Sequence, residues 1–367
     1  MKVGVLTRHA VANYGSVLQA YATQKAIEKT GHESEIINYI RKDEFDINIS
    51  KTMLFRNKAW NSNLLRRIVY IILQTPVYTS TFRTFRKYTK RLLKETRRVY
   101  FTSEEIQNNT NYDLYCVGSD QVWGQIGCSE YDPCYFLDFA RDGEKCISYA
   151  SSFGKDSISE SLRKELPKLL IKFDNISVRE SSAKELLAEL GICSHHVLDP
   201  TLLLTKKEWN EIADDNQKYH GYVLIYQLHD NKLLEKYAKD FANYIGKRLI
   251  RISNSFLYYF KSGKLCYMPS PERFLSLIKN ADYVITDSFH ATVFSLIFER
   301  KFVDILPTNT GTRIISLLKM LKLEDRIVTD YDDFSKLENE VNYINAKKIL
   351  SEERRNSLFI LKEMIEH

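Results

Sequence analysis

The β-branched and aromatic run Tyr283-Val-Ile-Thr286 gives way within a few residues to apolar positions at helical spacing, Val293, Phe294, Ile297 and Phe298. Such a change of pattern dictates strand, tight turn and helix. The strand is expected over Asp282 to Thr286 and the helix from Ser288 or Phe289, since Asp287 and Ser288 are both good N-cap residues. His290 then falls in the first helical turn, just beyond the carboxyl end of a strand. Backbone N–H groups and the helix dipole favour an anion there, and in open α/β sheets that edge is where ligands bind. A histidine in this position serves either a ligand or the turn itself, and position alone does not separate the two.

The same rhythm runs through the rest of the chain. Lys2 to Thr7 reads as a strand, Arg8 to Ser16 as a loop, and Val17 to Lys29 as a helix ended by Gly31. This is the opening unit of a doubly wound sheet, although its glycines do not make the GxGxxG dinucleotide fingerprint. Further strands are expected at Glu35 to Tyr39, Tyr112 to Val117, Cys146 to Ala150 and Asn175 to Val178. After Tyr112 to Val117 comes Gly118-Ser-Asp-Gln-Val-Trp123: close backbone approach, polar side chains and an indole, which suit a sugar or phosphate. An ordinary turn capped by Asp120 would use the same residues. Arg179, at the mouth of the Asn175 strand, can fork onto a carboxylate or phosphate, or pair with Glu180 or Asp174. Beyond Thr201 the rhythm restarts, with strands at Tyr222 to Tyr226, Arg248 to Ile252 and Phe302 to Leu306, and a helix from Thr312 carrying Arg313 on its first turn. A chain of 367 residues exceeds what one core usually serves. Two α/β domains are therefore expected, 1–200 and 201–345, followed by a closing helix over 346–367, with the active site in a cleft between the domains.

Charge is unevenly spread. Between Lys51 and Arg98 stand thirteen Lys or Arg and one acid, Glu95, so this stretch carries +12 against +6 overall and the rest of the chain −6. It reads as an insertion in the first domain, with Leu64 to Leu73 and Phe82 to Lys94 as cationic amphipathic helices. Such helices suit an anionic membrane surface or a phosphorylated partner, and otherwise form a solvated face. No nucleic-acid motif accompanies the charge, so nucleic acid is not an expected partner. The N-terminus does not read as a signal peptide and no apolar run approaches a membrane span, so a cytoplasmic protein is expected. Six cysteines without a CxxC pair read as free thiols, and the adjacent His195-His196 would diverge on a strand, so no metal site is expected.

Six motifs occur in order: Asn13-Tyr-Gly-Ser-Val-Leu-Gln-Ala-Tyr-Ala22, Phe82-Arg-Thr-Phe-Arg86, Gly118-Ser-Asp-Gln-Val-Trp123, Ile176-Ser-Val-Arg-Glu180, Val197-Leu-Asp-Pro-Thr201 and Thr286-Asp-Ser-Phe-His-Ala-Thr292. Together they resemble the polysaccharide pyruvyl transferase family. The resemblance implies two Rossmann-like domains of the kind seen in GT-B glycosyltransferases. It implies phosphoenolpyruvate as co-substrate, no other cofactor, and formation of a pyruvate ketal on a sugar of a capsule, exopolysaccharide or cell-wall polymer. By the match, His290 is the candidate general acid and Arg179 the candidate clamp on the donor's anionic groups. Some members have Arg-Leu-His where this chain has Ser288-Phe289-His290, and Arg313 is the expected substitute for the missing charge. Asp287, Ser288 and Phe289 complete the expected donor side.

The acceptor is expected against Asn13, Tyr14, Gly15 and Ser16 together with Asp120, Gln121 and Trp123. There Trp123 would stack on a sugar face, Asp120 would take a hydroxyl proton, and His9 is the alternative base. The basic insertion would bring the enzyme to a lipid-diphosphate-linked acceptor at the inner membrane surface. Two other functions fit the same pattern: a GT-B glycosyltransferase using a nucleotide sugar, and a non-catalytic glycan-binding member of the family.

Overall fold

A computed structural model describes residues 1–125, 129–155, 157–214, 219–306 and 311–367. The chain divides into two units, Met1–Pro200 with Ser357–His367, and Thr201–Asn356.

The first unit is built on a parallel sheet of β1 (Lys2–Leu6), β2 (Glu33–Ile36), β3 (Leu114–Val117), β4 (Lys145–Ser151), β5 (Asn175–Val178) and β6 (His195–His196). Their order across the sheet is β2-β1-β3-β4-β5-β6. Strands such as Leu114-Tyr-Cys-Val117 are buried along their whole length, as a parallel sheet covered on both faces requires. The direction of strand order reverses between β1 and β3, so the loops that follow these two strands part there and leave a place for a ligand. Helix α1 (Tyr14–Lys29) starts beside that point, capped by Asn13, whose side chain accepts from Gly15 N–H.

The basic insertion between β2 and β3 differs from expectation. A single helix, α2 (Leu64–Leu92), runs where two were expected and carries Pro76 inside it. One proline costs one backbone hydrogen bond, and with no glycine nearby the helix continues through it. Its second half is anchored. Phe82 and Phe85 are buried, Phe85 lies 5.1 Å from the ring of Tyr14, and Arg86 forks onto Glu95 at 3.0 and 3.1 Å. The Phe82-Arg-Thr-Phe-Arg86 motif is therefore a packing device, and Glu95 neutralises the one cation of the stretch that is driven into the core.

The second unit has a parallel sheet of β7 (Val223–Tyr226), β8 (Leu249–Ser253), β9 (Lys264–Tyr267), β10 (Tyr283–Thr286) and β11 (Lys301–Asp304). Its order β11-β10-β7-β8-β9 is that of a Rossmann sheet begun at β7. Strand β9 was not expected from the sequence. It is an edge strand with no fully buried residue, so it lacks the apolar pattern that would reveal it. Helix α3 (Lys232–Tyr244) presses Leu234, Tyr237 and Phe241 onto a core with Ile225, Ile285 and Val303. Helix α4 (Phe289–Phe298) is buried at every residue, and α5 (Thr312–Leu321) follows β11. Helix α6 (Tyr343–Glu366) is continuous. The expected closing segment over 346–367 is thus part of one helix, whose end from Ser357 belongs with the first unit. Ser357 Oγ accepts there from Leu198 N–H at 3.0 Å.

Cys116, Cys134, Cys146, Cys193 and Cys266 are free thiols, and Cys128 lies outside the described residues. Among the described residues no helix is long and apolar enough to cross a membrane.

Candidate active site

In the second unit the strand order reverses between β7 and β10, and the chain is tied together there from both sides. Thr286 Oγ1 donates to the Tyr226 carbonyl at 2.6 Å and accepts from Ser288 N–H at 3.0 Å. Ser288 caps α4, accepting from Ala291 N–H, so the helix begins at Phe289 and His290 sits in its first turn. Only 6% of His290 is exposed. Its ring meets that of Phe289 edge-on at 5.2 Å, and the guanidinium of Arg313, from the first turn of α5, lies 5.8 Å from the Phe289 ring. Phe289 thereby holds a histidine and a cation around one helix N-terminus, with aromatic faces that favour the cation.

Asp287 takes a role other than the expected donor contact. Its carboxylate is fully buried and accepts from Leu228 N–H at 2.7 Å, His229 N–H at 3.1 Å and the His229 ring at 3.0 Å. A carboxylate so placed would repel an anionic donor, and it anchors the loop after β7 instead. Behind it, Thr292 Oγ1 donates to Asp304 Oδ1 at 2.6 Å. Asp304 is wholly enclosed, and its other oxygen has no hydrogen-bond partner among the described residues. Burial pushes its pKa up to about 8; the Thr292 hydrogen bond opposes this and the charge of Asp287 adds to it. At neutral pH the Asp304 carboxyl is protonated.

Three residues here escaped the sequence reading. His229 reaches the site through Asp287, and Asp304 through Thr292. The third is Arg251, in the middle of β8 and 1% exposed. It donates to the Gln227 side chain at 2.8 Å and the Ser262 carbonyl at 3.2 Å, and lies 5.3 Å from the Tyr258 ring. Its Nη2 has no acceptor among the described residues. Burial pushes its pKa down, and the charge of Glu235 only partly offsets that. Gln227 directly follows β7 and Ser262 precedes β9, so this guanidinium is held between the end of one strand and the segment that leads into another. A charged residue inside the apolar run Leu249-Ile-Arg-Ile252 was the available signal, since an arginine is rarely buried without a partner.

The corresponding edge of the first unit joins several of the residues expected to meet the acceptor. Ser16 Oγ donates to Asp120 Oδ2 at 2.5 Å. Asp120 adopts φ 87°, a region L-residues rarely occupy and one found at turns and functional sites, and its other oxygen accepts from Gln121 N–H at 2.8 Å. Gln121 lies over Gly154, where a Cβ would come within 2.6 Å of the amide and where φ is +74°; only glycine fits. Asp120, Gln121 and Asn13 are half-buried, while Gly15 and Ser16 are buried in the first turn of α1.

Four expectations are corrected at this edge. Trp123 is not a sugar platform: it has no exposed surface, donates its indole N–H to the Tyr135 carbonyl at 2.9 Å and stacks on Phe136 at 5.8 Å. Tyr14 is likewise enclosed. His9 is fully buried between the Thr7 carbonyl at 3.1 Å and Asn38 at 3.3 Å; burial, then the charge of Arg86, lower its pKa, so it is a neutral core residue. Arg179 is not an open clamp. It donates to Asp199 at 2.7 Å, Glu180 at 3.1 Å and Ser119 at 3.2 Å with a side chain 2% exposed. Burial disfavours its charge, but Glu180, Asp199 and Asp120 more than restore it, and its pKa is raised. The Val-Arg-Glu and Leu-Asp-Pro motifs thus meet in a buried ion-pair cluster. His196 of β6, hydrogen-bonded to the Arg179 carbonyl at 3.1 Å, braces the same segment.

The family model for polysaccharide pyruvyl transferase matches residues 13–308. No curated protein sequence matches the chain. Among solved structures, the UDP-GlcNAc 2-epimerase of Methanocaldococcus jannaschii in complex with UDP-GlcNAc and UDP is similar with a TM-score of 0.52 at 16% identity, over 100% of both chains. The UDP-GlcNAc 2-epimerase of Neisseria meningitidis bound to UDP-GlcNAc gives 0.51 at 12%, over 100% of this chain and 99% of that one. A UGT of Arabidopsis thaliana complexed with quercetin gives 0.51 at 10%, over 99% of both chains. At these identities the likeness shows the fold, which is the GT-B fold of such epimerases and glycosyltransferases.

Proposed function

Because the chain belongs to the polysaccharide pyruvyl transferase family, we propose that it moves the pyruvyl group of phosphoenolpyruvate onto a sugar of a cell-surface polysaccharide or its lipid-linked precursor, closing a pyruvate ketal. The observation that supports this reading best is His290 on the first turn of α4, at the reversal of strand order, with Arg313 over the neighbouring Phe289. Phosphoenolpyruvate carries about three negative charges and suits a helix N-terminus with arginines. In this proposal Arg313 supplies the positive charge that Ser288 does not.

His290, as imidazolium, gives its proton to the methylene carbon of the donor, and the carbon bearing carboxylate and phosphate becomes oxocarbenium-like. One sugar hydroxyl adds to that carbon and gives up its proton. A second hydroxyl displaces phosphate and gives its proton to the leaving group, so two C–O bonds form, one breaks, and inorganic phosphate leaves. On the acceptor side Asp120, already holding the Ser16 hydroxyl, is the candidate to receive a hydroxyl proton, with Gln121 beside it.

Release of phosphate from phosphoenolpyruvate that depends on a glycan acceptor tests the reading. The solved neighbours bound to UDP-sugar favour one competitor, a glycosyltransferase using a nucleotide sugar. Such an enzyme would consume the nucleotide sugar and leave phosphoenolpyruvate intact, and a glycan-binding protein without catalysis would bind acceptor and consume neither.

A further inference from the structure

The two halves of α2 face different surroundings. From Thr79 onward it is held in the first unit by Phe82, Phe85 and Arg86. Before Pro76 it packs on one side through Tyr70 and is bare on the other: Leu64 and Leu65 are each 72% exposed, Ile72 66% and Leu73 58%, with Ile68 and Val69 also on the surface. These six recur as adjacent pairs every four residues, which gathers them along one side of the helix. Large aliphatics in such a continuous patch are unusual on a soluble surface and mark an interaction site.

The charge around the patch identifies what covers it. From Ile47 to Lys94 there is no aspartate or glutamate. Arg66 and Arg67 flank the stripe on the first turn and donate to neutral oxygens of the preceding turn, the Ala59 and Asn61 carbonyls among them, and no carboxylate among the described residues pairs with them. Trp60 sits at the same end, 38% exposed and 5.8 Å from the ring of Tyr70, as aromatic residues do at a lipid headgroup boundary. A second copy of the chain would bring two strongly positive faces together, which like charge opposes. An anionic bilayer satisfies both features, taking the aliphatic stripe below the headgroups and the arginines among the phosphates. The helix is not apolar enough to span, so it lies in the plane of the surface.

We infer that the first half of α2, Leu64 to Val77, is an in-plane anchor that inserts its aliphatic side into an anionic phospholipid surface. This differs from attraction by the basic stretch alone, because the second half, with exposed Lys87, Lys90 and Arg91, is fixed in the fold and presents no aliphatic stripe. It stands on α2 alone, so its failure would leave the transferase reading untouched.

The test uses the full chain and phosphatidylcholine vesicles with and without phosphatidylglycerol. The wild type is expected to float with the phosphatidylglycerol vesicles and to keep part of that binding in high salt, since the apolar contribution is not screened. Brominated lipid is expected to quench Trp60, whose signal is isolated by Trp60→Phe because Trp123 and Trp209 are fully buried. The double substitution Ile68→Glu and Ile72→Glu, at exposed positions, is expected to lower the bound fraction by roughly tenfold or more with an unchanged melting temperature. The substitutions Lys87→Gln and Lys90→Gln are expected to change binding by less than about twofold. Absence of flotation, flotation indifferent to the glutamates, or binding lost with the lysines would overturn the anchor. So would a dimer in solution that the glutamates dissociate, which would assign the face to a second copy.

Discussion

At the carboxyl edge of the first sheet the chain's own charges meet each other. Arg179 is enclosed by Glu180 and Asp199, and Asp120 takes the Ser16 hydroxyl. At the carboxyl edge of the second sheet the carboxylates are withdrawn instead, Asp287 into the loop after β7 and Asp304 behind Thr292. His290 and Arg313 stand around the N-terminus of α4. The two edges occupy the same topological position, the reversal of strand order. The comparison teaches that topology offers a site twice and side-chain pairing decides what each can bind. The arginine of the first edge is held by two carboxylates, whereas the buried carboxylates of the second are engaged by the loop after β7 and by Thr292.

The sharpest way to break the comparison is at His290. His290→Gln is expected to lower acceptor-dependent phosphate release by ~10²–10⁴-fold while phosphoenolpyruvate binding largely survives; turnover near that of the wild type would remove the proton-donor role. Arg179→Met should act on the fold rather than on the donor. It leaves Glu180 and Asp199 buried without their cation and is expected to cost about 3–5 kcal/mol of stability, read as a drop in the urea midpoint. A folded Arg179→Met protein of normal stability with a raised KM for phosphoenolpyruvate would show instead that this arginine meets the donor.

Titration sharpens the contrast further, because the two units hold buried groups whose pKa values are shifted in opposite directions. Asp304 keeps its proton in the folded protein up to about pH 8, whereas in the unfolded chain it ionises near about pH 3.9. The folded state binds the extra proton, so stability falls as pH rises through that window, by at most about 1.4 kcal/mol per pH unit. Asp304→Asn is expected to flatten the decline between pH 7 and pH 8. His9, with its pKa lowered by burial, contributes the other way: the unfolded chain binds the extra proton, and stability falls as pH drops below about 6.5. His9→Gln is expected to weaken that acid-side loss and leave the alkaline side unchanged. The smallest effect is expected at Asn13→Ala, which removes the cap of α1 for about 1 kcal/mol without changing the KM for phosphoenolpyruvate.

Much of the scaffold was legible because local pattern and tertiary context agree. The strand Asn175 to Val178, the strand ending at Thr286, Ser288 as cap and His290 in the first turn all follow from β-branched runs, capping chemistry and helical spacing. What was not legible shares one cause. Trp123, Tyr14, His9 and Arg179 are residue types found equally at binding sites and in cores, and a sequence does not show whether a neighbour covers them. Strand β9 lacked an apolar face, and Arg251 gave its signal only as a charge among aliphatics. The helix α2 shows the same limit in reverse. Its two halves look alike in sequence, cationic and amphipathic, yet one is held by Tyr14 and Glu95 while the other leaves its aliphatic side bare.

The order of strands and helices, the family and the position of His290 were determined by the chain's local chemistry, because hydrogen-bonding geometry and apolar periodicity act over a few neighbouring residues. Which charges remain available to a ligand was decided only by the tertiary structure. Arg179 directly follows β5 and Arg251 lies in the middle of β8, and their surroundings separate according to whether residues distant in the chain bring carboxylates to them. Asp199 comes to Arg179 from twenty residues away, while Arg251 has no ion pair among the described residues and receives only the neutral amide of Gln227 and the carbonyl of Ser262. Burial multiplies the consequence, since a charge removed from water depends on the few groups the fold places beside it.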